Sequence, residues 1–227
     1  MEGNIKIETF QQMNNHCKYI KNWFFRYRND DREPDWVDTR WDTSAKLIGN
    51  RREVFDDISP TDIVQGDLGD CYFLCALSAM AERPQLIERL FDVRNVNNEG
   101  IFAVWINVNG MWEQVILDDY FPSNRGEFAF SHSEQKELWV ALIEKAYAKC
   151  YGNYKIISGG DPVLAMRDLS GAPFERVDEL HKDTNGKWKK LLKAVQNGHP
   201  VACYTFVTDS HEEQHGEGMV GGHAYAV

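Results

Sequence analysis

Two runs of alternating apolar residues meet at Asn109-Gly110 in the stretch IFAVWINVNGMWEQVILDDYF. Asn and Gly both tolerate positive φ, which the tight two-residue turn of a β-hairpin demands. The spacing therefore predicts two antiparallel strands flanking that turn, and it is the clearest hairpin in the chain. An all-helical fold is excluded at once.

Helical periodicity takes over on either side. From Asp70, placed to cap, the residues Phe73, Leu74, Leu77, Ser78 and Ala81 recur at helical spacing until Pro84 stops the run, which puts Cys71 in the first turn. In SEQKELWVALIEKAYAKCYG a second helix carries Leu138, Ala141, Leu142, Lys145 and Ala146 and ends at Gly152. The stretch SGGDP at 158–162 breaks both periodicities and is the expected lobe boundary. Beyond it the pattern predicts a short turn of helix, then a helix in KWKKLLKAVQNG closed by Gly198 and Pro200. A buried strand in VACYTFV, a polar loop and a last strand at His223 with no visible partner complete the chain. Strands follow helices without regular alternation, so the class is α+β. Residues 1–50 read as an irregular lead packing through Trp23, Phe24, Phe25, Trp36 and Trp41, residues 51–160 as a first lobe, and 161–227 as the start of a second.

The formal net charge of -10 and the scattered basic pairs Arg51-Arg52 and Lys189-Lys190 exclude nucleic acid as a partner class. MEGNIKIETF lacks the basic start and apolar core of a signal peptide, and no apolar run reaches membrane-spanning length, so the expectation is a cytoplasmic protein. Five cysteines (Cys17, Cys71, Cys75, Cys150, Cys203), odd in number and without a C-x-x-C pair, fit reduced thiols. One of them is a candidate nucleophile.

A cysteine in the first turn of a helix has backbone N–H groups and the positive end of the dipole beside its sulfur, which favours thiolate. Gly66 and Gly69 let the backbone approach that helix start, and Gln65 can aim its amide at an oxyanion formed on attack. Spacing alone leaves Cys71 either a nucleophile or a small buried apolar residue. A phosphate-cradle enzyme is ruled out because Leu77 occupies the arginine position, and Cys75 reads as packing. His211, Glu212 and His215 spell the H-E-x-x-H of zinc peptidases, but four glycines follow and no apolar stripe sustains the helix that motif needs. The longer metal motif would place its third histidine at Gly221, so the match fails at a ligand.

Four stretches carry a family likeness. QGDLGDCYFLCALSA resembles the nucleophile segment of calpains, the calcium-dependent intracellular cysteine proteases; ELWVALIEKAYAKCYGNYKIISGG resembles the helix and glycine loop that end their first lobe. VILDDYFP resembles a strand end of that lobe, and GGHAYAV resembles the segment holding the catalytic histidine. The resemblance runs from about Asp62 to Val227 and implies a papain-like core of calpain type, two lobes with the second incomplete. It implies Cys71 as nucleophile, His223 as proton carrier, Gln65 with the Cys71 N–H as oxyanion hole, and Gly160 and Gly222 as backbone holding an extended protein substrate. It also implies Ca²⁺ bound by Asp62 and Glu137 with carbonyls near Phe55 and Asp57, where the sequence departs from the family's glycine-bearing loop.

The asparagine that completes the calpain triad falls beyond Val227, as do the remaining strands of the second lobe and any regulatory domains or subunit. Two expectations follow: a calcium-dependent endopeptidase inactivated by Cys71→Ala, or a truncated non-catalytic relative that binds without cutting.

Overall fold

The hairpin forms as its turn chemistry requires. In the computed structural model, which describes residues 40–177, 183–205, 214–215 and 219–227, strands β3 (Ile101–Val108) and β4 (Met111–Asp118) pair antiparallel from Ile101↔Asp118 to Val108↔Met111. Asn109 and Gly110 take φ of 53° and 87°. Trp23, Phe24, Phe25 and Trp36 of the expected lead lie outside the described residues. Its end is regular: β1 (Arg40–Thr43) runs into α1 (Ser44–Ile48), with Trp41 against the core. β1 then joins β5 (Tyr120–Asn124) and β6 (Glu127–Phe128) in an antiparallel sheet ordered β1-β5-β6.

Two helices fill the interior. A 3-10 turn over Pro60–Asp62 leads into β2 (Ile63–Val64), which pairs with β7 (His132–Ser133). From the loop after β2 rises α2 (Cys71–Ala81), nine of whose residues are buried; it stops before Pro84, which opens the short α3 (Pro84–Glu88). Asp70 does not cap it as expected, since its side chain makes no cap hydrogen bond. Helix α4 (Trp139–Tyr151) is buried over Trp139–Ala148 and ends at Gly152. Leu138, the first of its periodic residues, is the N-cap. The Leu138 and Trp139 N–H groups bond the Val54 carbonyl at 3.2 and 2.9 Å, holding the residues before them in an extended bridge between Glu53 and Glu137.

After the glycines, Asp161 caps α5 (Pro162–Ser170) by accepting the Val163 N–H at 3.0 Å, with Pro162 in the first turn and Gly171 left-handed at the end. This helix packs on α2 and β3, and its Ala165 and Leu169 belong to the same apolar cluster as Phe73, Leu77, Phe102 and Trp139. α6 (Thr184–Gln196) buries no residue and leaves Trp188, Leu192 and Val195 exposed. The last strand, expected to be unpartnered, pairs instead: β8 (Ala202–Tyr204) runs antiparallel to β11 (Ala224–Ala226) in the register Ala224↔Tyr204. Three residues on each side suffice for a ladder too short to show as periodicity. β8 is also not the buried strand expected from VACYTFV, since Cys203 and Tyr204 are exposed, and Phe206 lies outside the described residues. Between them β9 (Gln214–His215) pairs with β10 (Met219–Val220).

Candidate active site

Cys71 opens α2 and is half buried, at the helix end whose first N–H groups have no acceptor a turn earlier in the helix. Backbone contacts fix that helix start. The Asp67 N–H bonds the Ala129 carbonyl at 2.8 Å, and a Cβ on Gly66 would stand 2.4 Å from that oxygen and 2.6 Å from Phe130 Cα. Only glycine lets the two strands of backbone touch there. On the other side the Gly159 N–H donates to the Gly69 carbonyl at 2.7 Å, while a Cβ on Gly160 would lie 2.4 Å from the Tyr72 ring. The glycine loop is thereby closed over the first turn of α2, bringing Gly160 beside the residue that follows Cys71. Gln65 donates Nε2–H to the Leu68 carbonyl at 2.8 Å, which ties the amide into the same loop and leaves its second N–H uncommitted by that bond.

His223 precedes β11, the strand that lies against α2. Gly222, with φ 68°, makes the turn before it. Thr205 pins the histidine backbone: its N–H donates to the His223 carbonyl at 3.0 Å, and its Oγ1 accepts the His223 N–H at 3.1 Å while donating to the Val220 carbonyl at 2.6 Å. The ring meets Tyr225 edge to face at 5.0 Å between centroids, and the Tyr225 hydroxyl accepts the Val220 N–H at 2.7 Å. The fold thus sets the element that begins with Cys71 against the element that follows His223. Thr205 was not foreseen from sequence, because a threonine in an apolar run carries no sign of its partner eighteen positions on.

Of the two cysteines on α2, only Cys71 has the setting of a nucleophile. Burial, with Cys203 and Cys71 nearby, pushes the Cys75 thiol up to about 12, in keeping with its expected packing role. The zinc motif loses its framework: His211 and Glu212 lie outside the described residues, and Gln214–His215 form a strand where the motif requires helix.

The two acids expected to bind calcium have other partners. Glu137 is 4% exposed and takes four donors: the Asp56 and Asp57 N–H groups on Oε1 at 2.5 and 3.2 Å, and the Ser133 hydroxyl and Trp139 Nε1–H on Oε2 at 3.1 and 3.2 Å. Asp62 accepts the Ser59 N–H at 2.7 Å in a reciprocal capping box. A carboxylate offers about four lone-pair sites, and all those of Glu137 are taken. The Asp56 and Asp57 N–H groups of this loop turn toward Glu137, so in this arrangement its carboxylate has no lone pair left for an ion, while the Asp62 bond takes Oδ2. They form a hydrogen-bonded clamp joining the 56–57 loop to the start of α4.

Comparison with known proteins gives a consistent picture. The family described as "Calpain family cysteine protease" matches residues 18–227. The calpain-1 catalytic subunit of Rattus norvegicus is 34% identical over 194 residues, covering 83% of this chain and 27% of the relative. The calpain-2 catalytic subunit of Homo sapiens is 33% identical over 193 residues, covering 82% and 27%. A calpain-type cysteine protease of Arabidopsis thaliana, DEK1, is 35% identical over 179 residues, covering 75% and 8%. The chain thus spans about a quarter or less of the length of these relatives.

Proposed function

Since this chain belongs to the calpain family of cysteine proteases, we propose that it supplies catalytic residues of a cysteine endopeptidase acting on protein substrates. One observation carries the proposal: β11, which follows His223, packs on α2, which begins with Cys71, and Cys71 is only half buried there.

In this mechanism His223 takes the proton of the Cys71 thiol and the sulfur attacks the peptide carbonyl carbon. The carbonyl oxygen becomes an oxyanion that accepts from the Cys71 N–H and from the second N–H of Gln65 Nε2, whose first N–H is held by the Leu68 carbonyl. As the tetrahedral intermediate collapses, the C–N bond breaks and the departing amine takes the proton from the imidazolium, leaving a thioester on Cys71. Water then attacks with His223 as base, the C–S bond breaks, and the thiol is restored. The extended substrate backbone is held along Gly160 and Gly222, which present main chain without side-chain bulk.

Calcium dependence enters this proposal through the family resemblance and not through Asp62 and Glu137 as they are arranged. The test is hydrolysis of a fluorogenic peptide and of an unfolded protein, with calcium and with chelator. Cys71→Ala should lower kcat by at least about 10⁴-fold. Cleavage that survives Cys71→Ala refutes the assignment, and a wild-type protein that binds but never cuts supports the non-catalytic alternative.

A further inference from the structure

Beside the nucleophile stands a carboxyl that the mechanism above does not use. Asp70 directly precedes Cys71 and is 0% exposed, yet its side chain caps nothing. With both acids ionised its carboxyl oxygens find no side-chain donor among the described residues; the groups that reach them are the Glu144 carboxyl and Asp70's own backbone N–H. The group it meets is the carboxyl of Glu144 on α4, 1% exposed, whose Oε1 accepts the Ser131 N–H at 3.1 Å. Two ionised carboxylates cannot share a dry site, because each lacks solvation and each repels the other. One proton resolves both defects: a protonated Glu144 donates to an ionised Asp70, giving that carboxylate a donor and leaving a single negative charge at the positive end of α2.

We propose that Asp70 and Glu144 share one proton across the start of the nucleophile helix, and that Asp70 is thereby a positioning residue for Cys71, anchoring it to α4. The titratable groups around the pair agree. Asp70 has Cys71 as its chain neighbour and acts on Tyr72 of α2; the buried Tyr154 hydroxyl feels the charges of Glu144, Asp118 and Asp70. Burial pushes the Asp70 carboxyl up to about 6 against the lowering effect of the Glu144 hydrogen bond. Burial and then the Asp70 charge raise Glu144 well above the ordinary range.

The inference rests on the cysteine-protease reading only in taking Cys71 as the reactive group, so its test avoids peptide cleavage. Infrared spectroscopy of the wild-type protein at pH 7 should show the C=O stretch of one buried protonated carboxyl, lost in Glu144→Gln. The rate at which iodoacetamide alkylates Cys71, followed by mass spectrometry with exposed Cys203 as reference, should inflect near about 6 in the wild type. Asp70→Asn should abolish that inflection. Glu144→Gln, whose amide still donates, should keep the rate within about twofold, whereas Glu144→Leu should slow it roughly tenfold by freeing the helix start. A wild-type spectrum without the protonated carboxyl, or an alkylation profile unchanged in Asp70→Asn, overturns the proposal. If both signatures are present and peptides are not cut, the proton pair stands and the endopeptidase assignment falls.

Discussion

Replacing Glu137 by Gln is the sharpest test of the hydrogen-bonded clamp. The amide oxygen can still face the Asp56 and Asp57 N–H groups, but those bonds lose their charge assistance, worth about half their strength. The NH₂ end then faces the Ser133 hydroxyl, which can turn to accept, and the Trp139 Nε1–H, which cannot. One buried donor is orphaned at about 1–3 kcal/mol, and two charge-assisted bonds are weakened by about 0.5–1.5 kcal/mol each. The sum is about 4 kcal/mol, or roughly 8–16 °C in Tm for a chain of this size. Thermal unfolding followed by circular dichroism, with millimolar calcium and with chelator, gives the answer. A clamp predicts the same loss in both buffers and no calcium increment that depends on Glu137. If calcium raises the wild-type Tm and that increment vanishes in Glu137→Gln, the carboxylate is a calcium ligand and the four-donor description fails.

Gly160→Ala should cost about 1–3 kcal/mol by driving a methyl into the Tyr72 ring, and should slow Cys71 alkylation; pairing it with Tyr72→Leu should recover the stability measured by denaturant unfolding. Lys145→Met removes an ammonium that is 1% exposed and bonds Asp118 Oδ1, the Asp118 carbonyl and the Tyr120 carbonyl at 2.6, 2.8 and 2.6 Å. It should cost about 3–5 kcal/mol in urea unfolding, because a buried carboxylate is left unpaired. Thr205→Val keeps the shape but cuts the side-chain links to Val220 and His223, so peptidase activity should fall by roughly tenfold or more with a Tm change of only a few degrees. Stability should also depend on pH in a definite direction. Asp70 titrates at about 6 in the fold against an ordinary value of 3.8, so the folded state binds more protons in that window. Unfolding free energy should therefore fall as pH rises through it, and Asp70→Asn should flatten that slope in unfolding curves taken at successive pH values.

Local pattern found the elements whose causes are local. Asn109-Gly110 fixed a turn, Pro84 ended α2, Gly152 ended α4, and Cys71 fell at a helix start because Phe73, Leu74 and Leu77 set the phase. It failed where the deciding partner is remote. Aspartate before a helix usually caps, and nothing near Asp70 tells that α4 will deliver a buried carboxyl to it. The segment before Leu138 is polar and carries no sign of its partners, yet Glu53 and Val54 bond the backbone of Lys136, Leu138 and Trp139. VACYTFV is as apolar as a core strand, but burial depends on what covers it, and Cys203 and Tyr204 are exposed. The same limit governed Glu137, which aligns as a metal ligand while its actual partners are set by the direction in which the 56–57 backbone turns.

Glu144 and Lys145 bring these strands of argument together. They are adjacent on α4 and both nearly inaccessible, so neither can relax by reaching water. Adjacent helical positions point about 100° apart, which sends the two side chains to different neighbours. Glu144 meets Asp70 under the nucleophile, and Lys145 meets Asp118 at the end of β4 while lying 5.1 Å from the Phe121 ring centroid. One contact joins opposite charges and closes on its own; the other joins like charges and closes only with a proton. The helix is therefore tied to the hairpin by an ion pair and to α2 by a contact that depends on a shared proton. A double-mutant cycle between Lys145→Met and Asp70→Asn should accordingly be additive within about 0.5 kcal/mol at pH 7, because the two contacts share a helix but no partner. Coupling well beyond that would mean that the two contacts of α4 are not independent.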